Sequence, residues 1–352
     1  MGKLYACYAT SDYYARETGI SMIGFFENNP DYEPDEFFIL DYGVLDENKM
    51  KLDGIAAKYG KKITYLPAKQ ILEEIQSKLN LKDFRGSLAT YSRAFIDKIM
   101  PQYVERLLYI DSDTVVIGSI SELKSFAMGN ACIAGIISSG FSHQIKHKKL
   151  KLYSNNSLYY GCGIVLYDLQ NWRSRGCFEK IKEMLNIKKE YPCADQTLIN
   201  NSLEESCFKK LPLKYNYTTH TVSVAFENGI LKRDGFYTSK EIYIAKNHPV
   251  VIHYPGSPLT RPWFEGCQSR KKEEYYQIKQ MSPWSTDKLY DSSIYRAGNI
   301  KGRKLISYYI HQLEIKTHSY YLATLIINMR SLVGEFLRFL GIYQKIPSEG
   351  LE

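Results

Sequence analysis

The stretch RLLYIDSDTVV, residues 106–116, joins an apolar run to two aspartates and a second short apolar run. Side chains at positions i and i+2 of an extended segment point the same way, so Asp111 and Asp113 present two carboxylates to one point. Hard oxygen ligands of this kind suit Mg²⁺ or Mn²⁺. The flanking apolar residues favour a metal site at the end of a buried strand over a turn that merely ends one.

Short apolar runs alternate with helix-like segments before this stretch. Strands are predicted at KLYACYA (3–9), EFFILDY (36–42), KITYLP (62–67) and RLLYI (106–110), and helices over 12–27, 46–59, 69–79 and 87–99. This alternation predicts an α/β fold whose mainly parallel sheet is flanked by helices, with ligands beyond the carboxyl ends of the strands. Further strands are predicted at 162–169 and 250–254, with a helix after Trp172 to about residue 189.

The composition changes after residue 264, which predicts an α/β domain over 1–264 and a mostly helical C-terminal appendage over 265–352. Residues 301–345 are rich in lysine and arginine, and apolar residues from Leu322 to Leu340 recur at three- and four-residue steps. This segment is too polar to span a membrane. It would suit an anionic membrane surface, or it would pack against the domain or a partner chain.

The bulk composition restricts the partners and the compartment. The net charge of +8 comes without a helix-turn-helix, zinc-finger or RNP-type pattern, so no nucleic-acid partner is expected. The seven cysteines are scattered singly, which argues against a disulfide framework or a zinc site and for a reducing compartment. Met1 runs directly into the first predicted strand, which leaves too little chain for a signal peptide and predicts a cytoplasmic protein.

Other polar residues have both a functional and a structural interpretation. His253 follows an apolar run and precedes a Gly/Pro-rich turn, so it is either a metal ligand or a core histidine. Arg261 is either a phosphate clamp or a solvated charge. Asp195 and Gln196 begin a helix-like segment, where Asp195 could simply cap the helix. Arg93 lies on an otherwise apolar segment and would alternatively be a surface charge or one partner of an ion pair.

Six blocks in order carry a resemblance to a known family. They are a first strand ending in a small polar cluster, then TYSRAF (90–95), YIDSD (109–113), YYGCGIVLYDLQNWR (159–173), ADQTLIN (194–200) and IHYPG…RPW (252–263). The chain resembles, over about residues 3–264, the retaining glycosyltransferases of family 8, which include bacterial lipooligosaccharide galactosyltransferases and, more distantly, glycogenin. The resemblance implies a GT-A fold, a UDP-hexose donor (galactose or glucose), a saccharide or glycoconjugate acceptor and Mn²⁺. It also implies a role in bacterial surface polysaccharide, lipooligosaccharide or glycoprotein synthesis. It adds the inner face of the cell membrane to the expected locations.

The resemblance assigns roles to individual residues. It makes Asp111, Asp113 and His253 the metal ligands. It makes Arg93, Asp195 and Gln196 catalytic, with Gln196 near the anomeric carbon. The substrate-binding residues that it implies are Ala9, Thr10, Ser11, Tyr14, Arg93, Ser112, Gly161, Cys162, Asp195, Gly256 and Arg261. This sequence departs from the family pattern at Ser11, Gly161 and Arg261, which stand where aspartate, asparagine and lysine are usual.

The reaction course and the function class each keep alternatives. Retention would ordinarily suggest a carboxylate nucleophile, but the matching residue is the amide Gln196, so attack on the same face fits equally well. The segment DSDTV also fits the nucleophile motif of haloacid-dehalogenase-like phosphatases, although that motif normally closes the first strand of its domain. A catalytically silent membrane- or carbohydrate-binding protein is the third interpretation.

Overall fold

The computed structural model describes residues 3–84, 86–292, 302–319, 321–326 and 329. The strands in this part of the chain are β1 (Leu4–Thr10), β2 (Glu36–Asp41), β3 (Lys62–Leu66), β4 (Arg106–Asp111), β5 (Thr114–Val116), β6 (Ile133–Gly135), β7 (Ile164–Asp168), β8 (Phe208–Lys210), β9 (Tyr217–Thr218) and β10 (Val251–His253). The α-helices are α1 (Ala15–Asn28), α2 (Asp46–Lys58), α3 (Ala68–Leu79), α4 (Ile96–Ile99), α5 (Ser121–Lys124), α6 (Ser139–Lys146), α7 (Leu169–Ser174), α8 (Cys177–Ile187), α9 (Ala194–Ser202), α10 (Val224–Leu231), α11 (Ser239–Asn247), α12 (Lys272–Lys279) and α13 (Gly302–Thr317).

The central sheet has seven strands in the order β3-β2-β1-β4-β7-β6-β8. Strands β3, β2, β1 and β4 run parallel, β7 is antiparallel to both of its neighbours, and β6 pairs with β8 in parallel. Strands β1 and β4 are buried on both faces, because helices cover the sheet on each side, and this explains their nearly continuous apolar sequence. The predicted α/β fold with a mainly parallel sheet is confirmed.

Four short strands were not predicted, namely β5, β6, β8 and β9. Each has only two or three residues, too few for an alternating pattern to be visible in the sequence. Strands β5, β10 and β9 form a separate small sheet, in which β10 lies antiparallel to β5. This small sheet brings the residues after the DSD turn beside His253.

Three of the predicted helices differ from the observed ones. The segment 87–99 forms a 3-10 turn at Ala89–Arg93 followed by the single-turn helix α4, because the Ser92 hydroxyl donates to the carbonyl of Ala89 at 2.7 Å. The helix predicted after Trp172 is divided into α7 and α8 by Gly176, whose φ of 62° breaks the helical path. The segment predicted as one helix over 12–27 opens with a 3-10 turn before α1.

The chain after residue 264 continues to pack on the α/β core. Tyr275 belongs to the same apolar cluster as Ile20 and Ile252, and Trp284 is buried in the main core. Helix α12 lies against α1. Residues 265–292 thus share the packing of the α/β core, and the domain division at residue 264 stays a prediction from composition.

The helical appendage is present as α13 and a helical stretch at 321–326. Leu322, Leu325, Ile326 and Met329 are each at least 40% exposed, whereas Ala323 is buried. The remainder of the apolar face predicted up to Leu340 lies outside the described residues. Within the described residues, no helix is long and apolar enough to cross a membrane.

The seven cysteines are all free thiols. Three of them, Cys132, Cys177 and Cys207, are buried and place their sulfur atoms within 4.8 Å of one another. We call this group the buried thiol cluster. Its members come from three separate elements, so their irregular spacing in the sequence gave no sign that they meet.

Candidate active site

The turn after β4 directs two carboxylates to one side of the sheet. Strand β4 ends at Asp111, and the Thr114 hydroxyl donates to the Asp111 carbonyl at 2.8 Å, which closes the turn. Between them, the Ser112 hydroxyl donates to the carbonyl of Ala9 at 2.7 Å and lies 2.9 Å from the Thr18 hydroxyl. Ser112 therefore anchors the turn to β1 and α1, and leaves the carboxylates of Asp111 and Asp113 free to face the same point.

His253, at the end of β10, completes this cluster. Its Nε2 atom lies 3.0 Å from Asp113 Oδ1 and 4.0 Å from Asp111 Oδ2. Its Nδ1 atom lies 3.0 Å from Asn216 Oδ1, so Nδ1–H donates to the amide oxygen and the Nε2 lone pair is left for a ligand. A Cβ at position 163 would lie 2.4 Å from the imidazole Cε1, so only glycine leaves room for the ring in this orientation.

Two carboxylates and one imidazole in this arrangement fit a divalent metal ion. One ligand atom from each of Asp111, Asp113 and His253 lies within 4.8 Å of the others. The oxygen-rich set suits Mn²⁺ or Mg²⁺, with a nitrogen ligand that Mn²⁺ also accepts. The three residues predicted as ligands therefore meet in one place, although β4 and β10 are far apart in the sequence.

The ionisation of the cluster is strongly coupled. Burial raises the pKa of Asp111 to about 6, with Arg93 opposing the shift and the Asp113 charge adding to it. Burial would also raise the pKa of Asp113, but the facing His253 and Arg261 hold it well below its usual range. Burial would lower the pKa of His253, yet the two carboxylates raise it above its ordinary value.

Arg93 connects the cluster to a buried carboxylate. Its Nε and Nη2 atoms donate to Asp195 at 2.6 and 2.9 Å, while Nη1 donates to the two Asp111 oxygens at 3.0 and 2.9 Å. Nη1 also donates to the carbonyl of Cys162 at 3.0 Å. These bonds use most of the five N–H donors of the guanidinium. Arg93 is thus a buried bridge, and the surface-charge interpretation is wrong.

Gln196 lies beside this bridge at the start of α9. Its Oε1 accepts the backbone N–H of Cys162 at 3.0 Å, and its Nε2 lies 3.4 Å from the Tyr159 hydroxyl. Asp195 is not the N-cap of α9, since Cys193 precedes the helix and Asp195 is within its first turn. Gly161, whose N–H donates to the Ile136 carbonyl at 2.8 Å, lies in the segment that leads to β7.

The residues after β1 divide into structural and accessible groups. The Thr10 hydroxyl is buried and lies 2.8 Å from the Thr18 hydroxyl, and the Ala9 carbonyl is occupied by Ser112. Ser11 and Tyr14 are only partly buried. Burial raises the pKa of Tyr14 to about 12, with Arg261 opposing the shift from across the cluster. Of the predicted nucleotide-contacting residues, Ser11 and Tyr14 therefore present side chains to solvent.

The turn after β10 brings a second cation to the cluster. Gly256 has a φ of 104°, a conformation that favours glycine, and the chain then forms a 3-10 turn at Pro258–Thr260. Arg261 follows, with Nη2 3.4 Å from Asp113 Oδ2 and Nε 3.3 Å from the Tyr254 carbonyl. A diphosphate on the metal cluster would lie within reach of this guanidinium, as the phosphate-clamp interpretation requires.

Several residues of the site were missed by the sequence analysis. They are Thr18, Tyr159, Gly163 and Asn216, which hold other site residues in place. Gly163 belongs to the YYGCG block and was visible there as a glycine before a strand. Asn216 precedes a two-residue strand, and no sequence pattern pointed to it.

Comparisons with known proteins agree with this geometry. Residues 6–267 match the sequence family described as Glycosyl transferase family 8. General stress protein A of Bacillus subtilis (strain 168) is 23% identical over 78% of this chain and 92% of its own length. A Lipopolysaccharide 1,2-glucosyltransferase of Escherichia coli is 28% identical over 75% of this chain and 74% of its own. The solved structure of galactosyltransferase LgtC with donor and acceptor sugar analogues has a TM-score of 0.62 at 19% identity, covering 79% of this chain and 96% of that one, and this likeness shows the fold.

The GT-A-type fold and the family match define the protein as a nucleotide-sugar hexosyltransferase. Because the match extends over most of the sequence, the chain belongs to glycosyl transferase family 8. The family resemblance predicted from the sequence blocks is confirmed. Membership also overturns the phosphatase interpretation of DSDTV, a segment that closes the fourth strand of this fold and not the first.

Proposed function

We propose that this enzyme transfers galactose or glucose from a UDP-sugar to a saccharide or glycoconjugate acceptor, with retention and with Mn²⁺ (or Mg²⁺). The observation that carries the proposal is the convergence of Asp111, Asp113 and His253 beside two arginines. Relatives named as lipopolysaccharide glucosyl- and galactosyltransferases support a hexose donor and a surface-glycan acceptor. We also propose a cytoplasmic location, with which the free thiols agree.

Each residue of the cluster has a defined task in this proposal. Asp111, Asp113 and His253 hold the metal, which when bound neutralises charge on the departing diphosphate. Arg261 adds a fixed positive charge on the same side, where negative charge grows as the glycosidic bond breaks. Ser11 and Tyr14 contact the nucleoside. Gly256 lets the 255–261 turn approach the phosphates, since its backbone adopts a conformation that favours glycine.

The contacts of Asp195 and Gln196 favour attack on the same face as the leaving group. Asp195 is 1% exposed and both of its oxygens accept from Arg93, so it is poorly placed to act as a nucleophile. The Gln196 amide is held by Cys162 and Tyr159 and is not a strong nucleophile. We propose that Asp195 positions Arg93 while Gln196 contacts the sugar, and that a diphosphate oxygen takes the proton of the acceptor hydroxyl.

A panel of nucleotide sugars tests this function. The full-length protein is incubated with Mn²⁺ and UDP-galactose, UDP-glucose, GDP-mannose or ADP-glucose, and release of the nucleoside diphosphate is measured. We expect hydrolysis of a UDP-hexose that requires the metal and is lost in Asp113→Asn. Nucleotide binding without turnover at any metal concentration would instead identify a catalytically silent binding protein. Preference for a non-uridine donor would overturn the assignment of Ser11 and Tyr14.

The C-terminal segment 301–345 is proposed to lie on an anionic membrane surface, where lipid-linked acceptors would be found. In its described part, Leu322, Leu325, Ile326 and Met329 expose apolar surface in a basic sequence. Such a combination suits the boundary between headgroups and acyl chains.

A further inference from the structure

A second cluster of metal-ligating side chains lies outside the transferase site. Helix α6 carries His143, and His147 follows at the helix end, so the two imidazoles lie one turn apart on the same face. His143 Nδ1 is hydrogen-bonded to Asp234 Oδ2, and His147 Nε2 lies 3.2 Å from Asp234 Oδ1. One ligand atom from each of the three residues lies within 4.8 Å of the others.

Two local turns build this arrangement. The N–H of His147 donates to the His143 carbonyl at 3.0 Å, and Lys148, with a φ of 55°, then turns the chain away. Asp234 has a φ of 56°, a conformation that aspartate tolerates better than most residues, and it projects from a 3-10 turn onto α6. The three side chains converge because both segments end abruptly at this point.

We propose that His143, His147 and Asp234 form a second divalent-metal site, which takes Zn²⁺ or a similar imidazole-preferring ion. Two imidazole nitrogens and one carboxylate oxygen are a donor set that suits Zn²⁺, whereas Mg²⁺ and Mn²⁺ favour sites richer in oxygen. Water would complete the coordination, because the imidazoles are partly exposed. The carbonyl end of α6 also favours a cation at this position.

The neighbouring charges are compatible with a metal. Asp234 supplies a carboxylate whose two oxygens lie against His143 and His147. Lys146 Nζ lies 3.6 Å from Asp234 Oδ1, but more than half of the Lys146 side chain is exposed and can turn into solvent. A metal ion would take the place of the hydrogen bond between His143 Nδ1 and Asp234, with both atoms turned to the ion as ligands.

The proposed second metal site is connected to the transferase site through an aromatic contact. Phe141 of α6 stacks on Tyr159, with ring centroids 4.4 Å apart and planes 18° apart. The Tyr159 hydroxyl bonds to Thr197 at 2.7 Å and lies 3.4 Å from Gln196 Nε2. A metal that ties α6 to the turn at Asp234 would restrict the wall that supports Gln196.

Zn²⁺ titration of the full-length protein tests the site by difference. The experiment compares wild type, His147→Gln and Asp234→Asn. The control is His248→Gln, which removes an exposed histidine at the end of α11. We expect either cluster substitution to weaken the binding of one Zn²⁺ ion by about 10–100-fold, because each removes one of the three protein ligands. Binding at the buried thiol cluster would be common to all four proteins.

Asp113→Asn separates this inference from the proposed function. This substitution should remove the metal ion bound by Asp111, Asp113 and His253. It should leave the His147-dependent Zn²⁺ ion unchanged, even if no nucleotide sugar is ever hydrolysed. Equal Zn²⁺ affinity in wild type, His147→Gln and Asp234→Asn would overturn the second site. The cluster would then be an ion-paired contact between α6 and the 233–235 turn.

Discussion

Arg93 pairs with two carboxylates of the site, those of Asp111 and Asp195. It lies between Asp195, which is fully enclosed, and Asp111, which faces the metal cluster. Buried charges persist only when they are paired, so Asp195 supplies the charge that lets a guanidinium be held beneath the cluster. Arg93 in turn fixes the Asp111 carboxylate, which is one of the three groups proposed to hold the metal.

The metal ligands give the first prediction. Asp111→Asn or Asp113→Asn each remove one anionic ligand at a partly exposed strand end, so we expect transfer to fall at least about 100-fold with little change in the unfolding transition. EDTA should have the same effect reversibly. Asp41→Asn, which removes a carboxylate at the end of β2, is the control. Full activity of either ligand variant, or in chelator, would refute the metal assignment.

The raised pKa of Asp111 gives a second prediction. A protonated carboxyl cannot bind the metal, so Mn²⁺ affinity should be greatest above the Asp111 pKa of about 6 and fall as the pH drops through it. The loss should be about tenfold per pH unit for one displaced proton, and steeper where His253 also holds one. Titrations of the full-length protein from about pH 8 to about pH 5 measure this. An Mn²⁺ affinity that does not change over this pH range would contradict the raised pKa of Asp111.

Asp195 gives a third prediction. Asp195→Asn keeps the shape of the side chain but removes the charge that pairs with Arg93, so transfer should fall much more than affinity for UDP–Mn²⁺. Arg93 retains its bonds to Asp111, which limits the effect on the metal. Calorimetry with UDP and initial rates with the UDP-hexose separate the two quantities. Equal losses in both would mean that Asp195 acts only on the stability of the metal cluster.

The helices and strands that could be predicted from the sequence are mostly the longer ones. Those that were missed are short and depend on contacts with distant parts of the chain. Strands β1 to β4 were predicted within one residue because each is a run of five or more residues rich in apolar and aromatic side chains, set between segments with helical spacing. The 87–99 segment has helical spacing, but local side-chain bonding divides it. The i, i+2 pair at 111 and 113 is a local pattern. The place of Asn216 instead depends on the two-residue strand β9, whose partner β10 lies far along the chain.

The docking of α13 gives a prediction at this scale. The Glu314 carboxylate accepts the backbone N–H groups of Val224 and Ala225 at 3.0 and 2.8 Å, so it caps the N-terminus of α10. Glu314→Gln should remove about 0.5–2 kcal/mol of capping free energy and speed hydrogen exchange in α10. Glu47→Gln, on the exposed face of α2, is the control. Unchanged exchange in α10 would show that α13 docks through its apolar contacts alone.

At the scale of the whole molecule, two kinds of surface follow from the same chain. The site lies where the parallel strands end and the small sheet β5-β10-β9 begins, so its cations and carboxylates come from segments far apart in sequence. In the described part of the C-terminal appendage, Leu322, Leu325, Ile326 and Met329 are instead exposed. Glu314 and the packing of Ile310 and Ala323 with Ala225 hold the appendage to the body.

The exposed apolar residues of the appendage give the last prediction. Leu325→Asp combined with Met329→Asp should abolish sedimentation with anionic liposomes at low salt, since each buried apolar side chain contributes about 1.5–3 kcal/mol at most and a carboxylate would be repelled. UDP-hexose hydrolysis should be unchanged, because α13 stays docked through Glu314. The control is Met50→Asp, which changes another exposed methionine, on α2; this variant should still sediment with the liposomes. If the full-length protein ignores liposomes, or the double variant unfolds, these residues instead pack against protein.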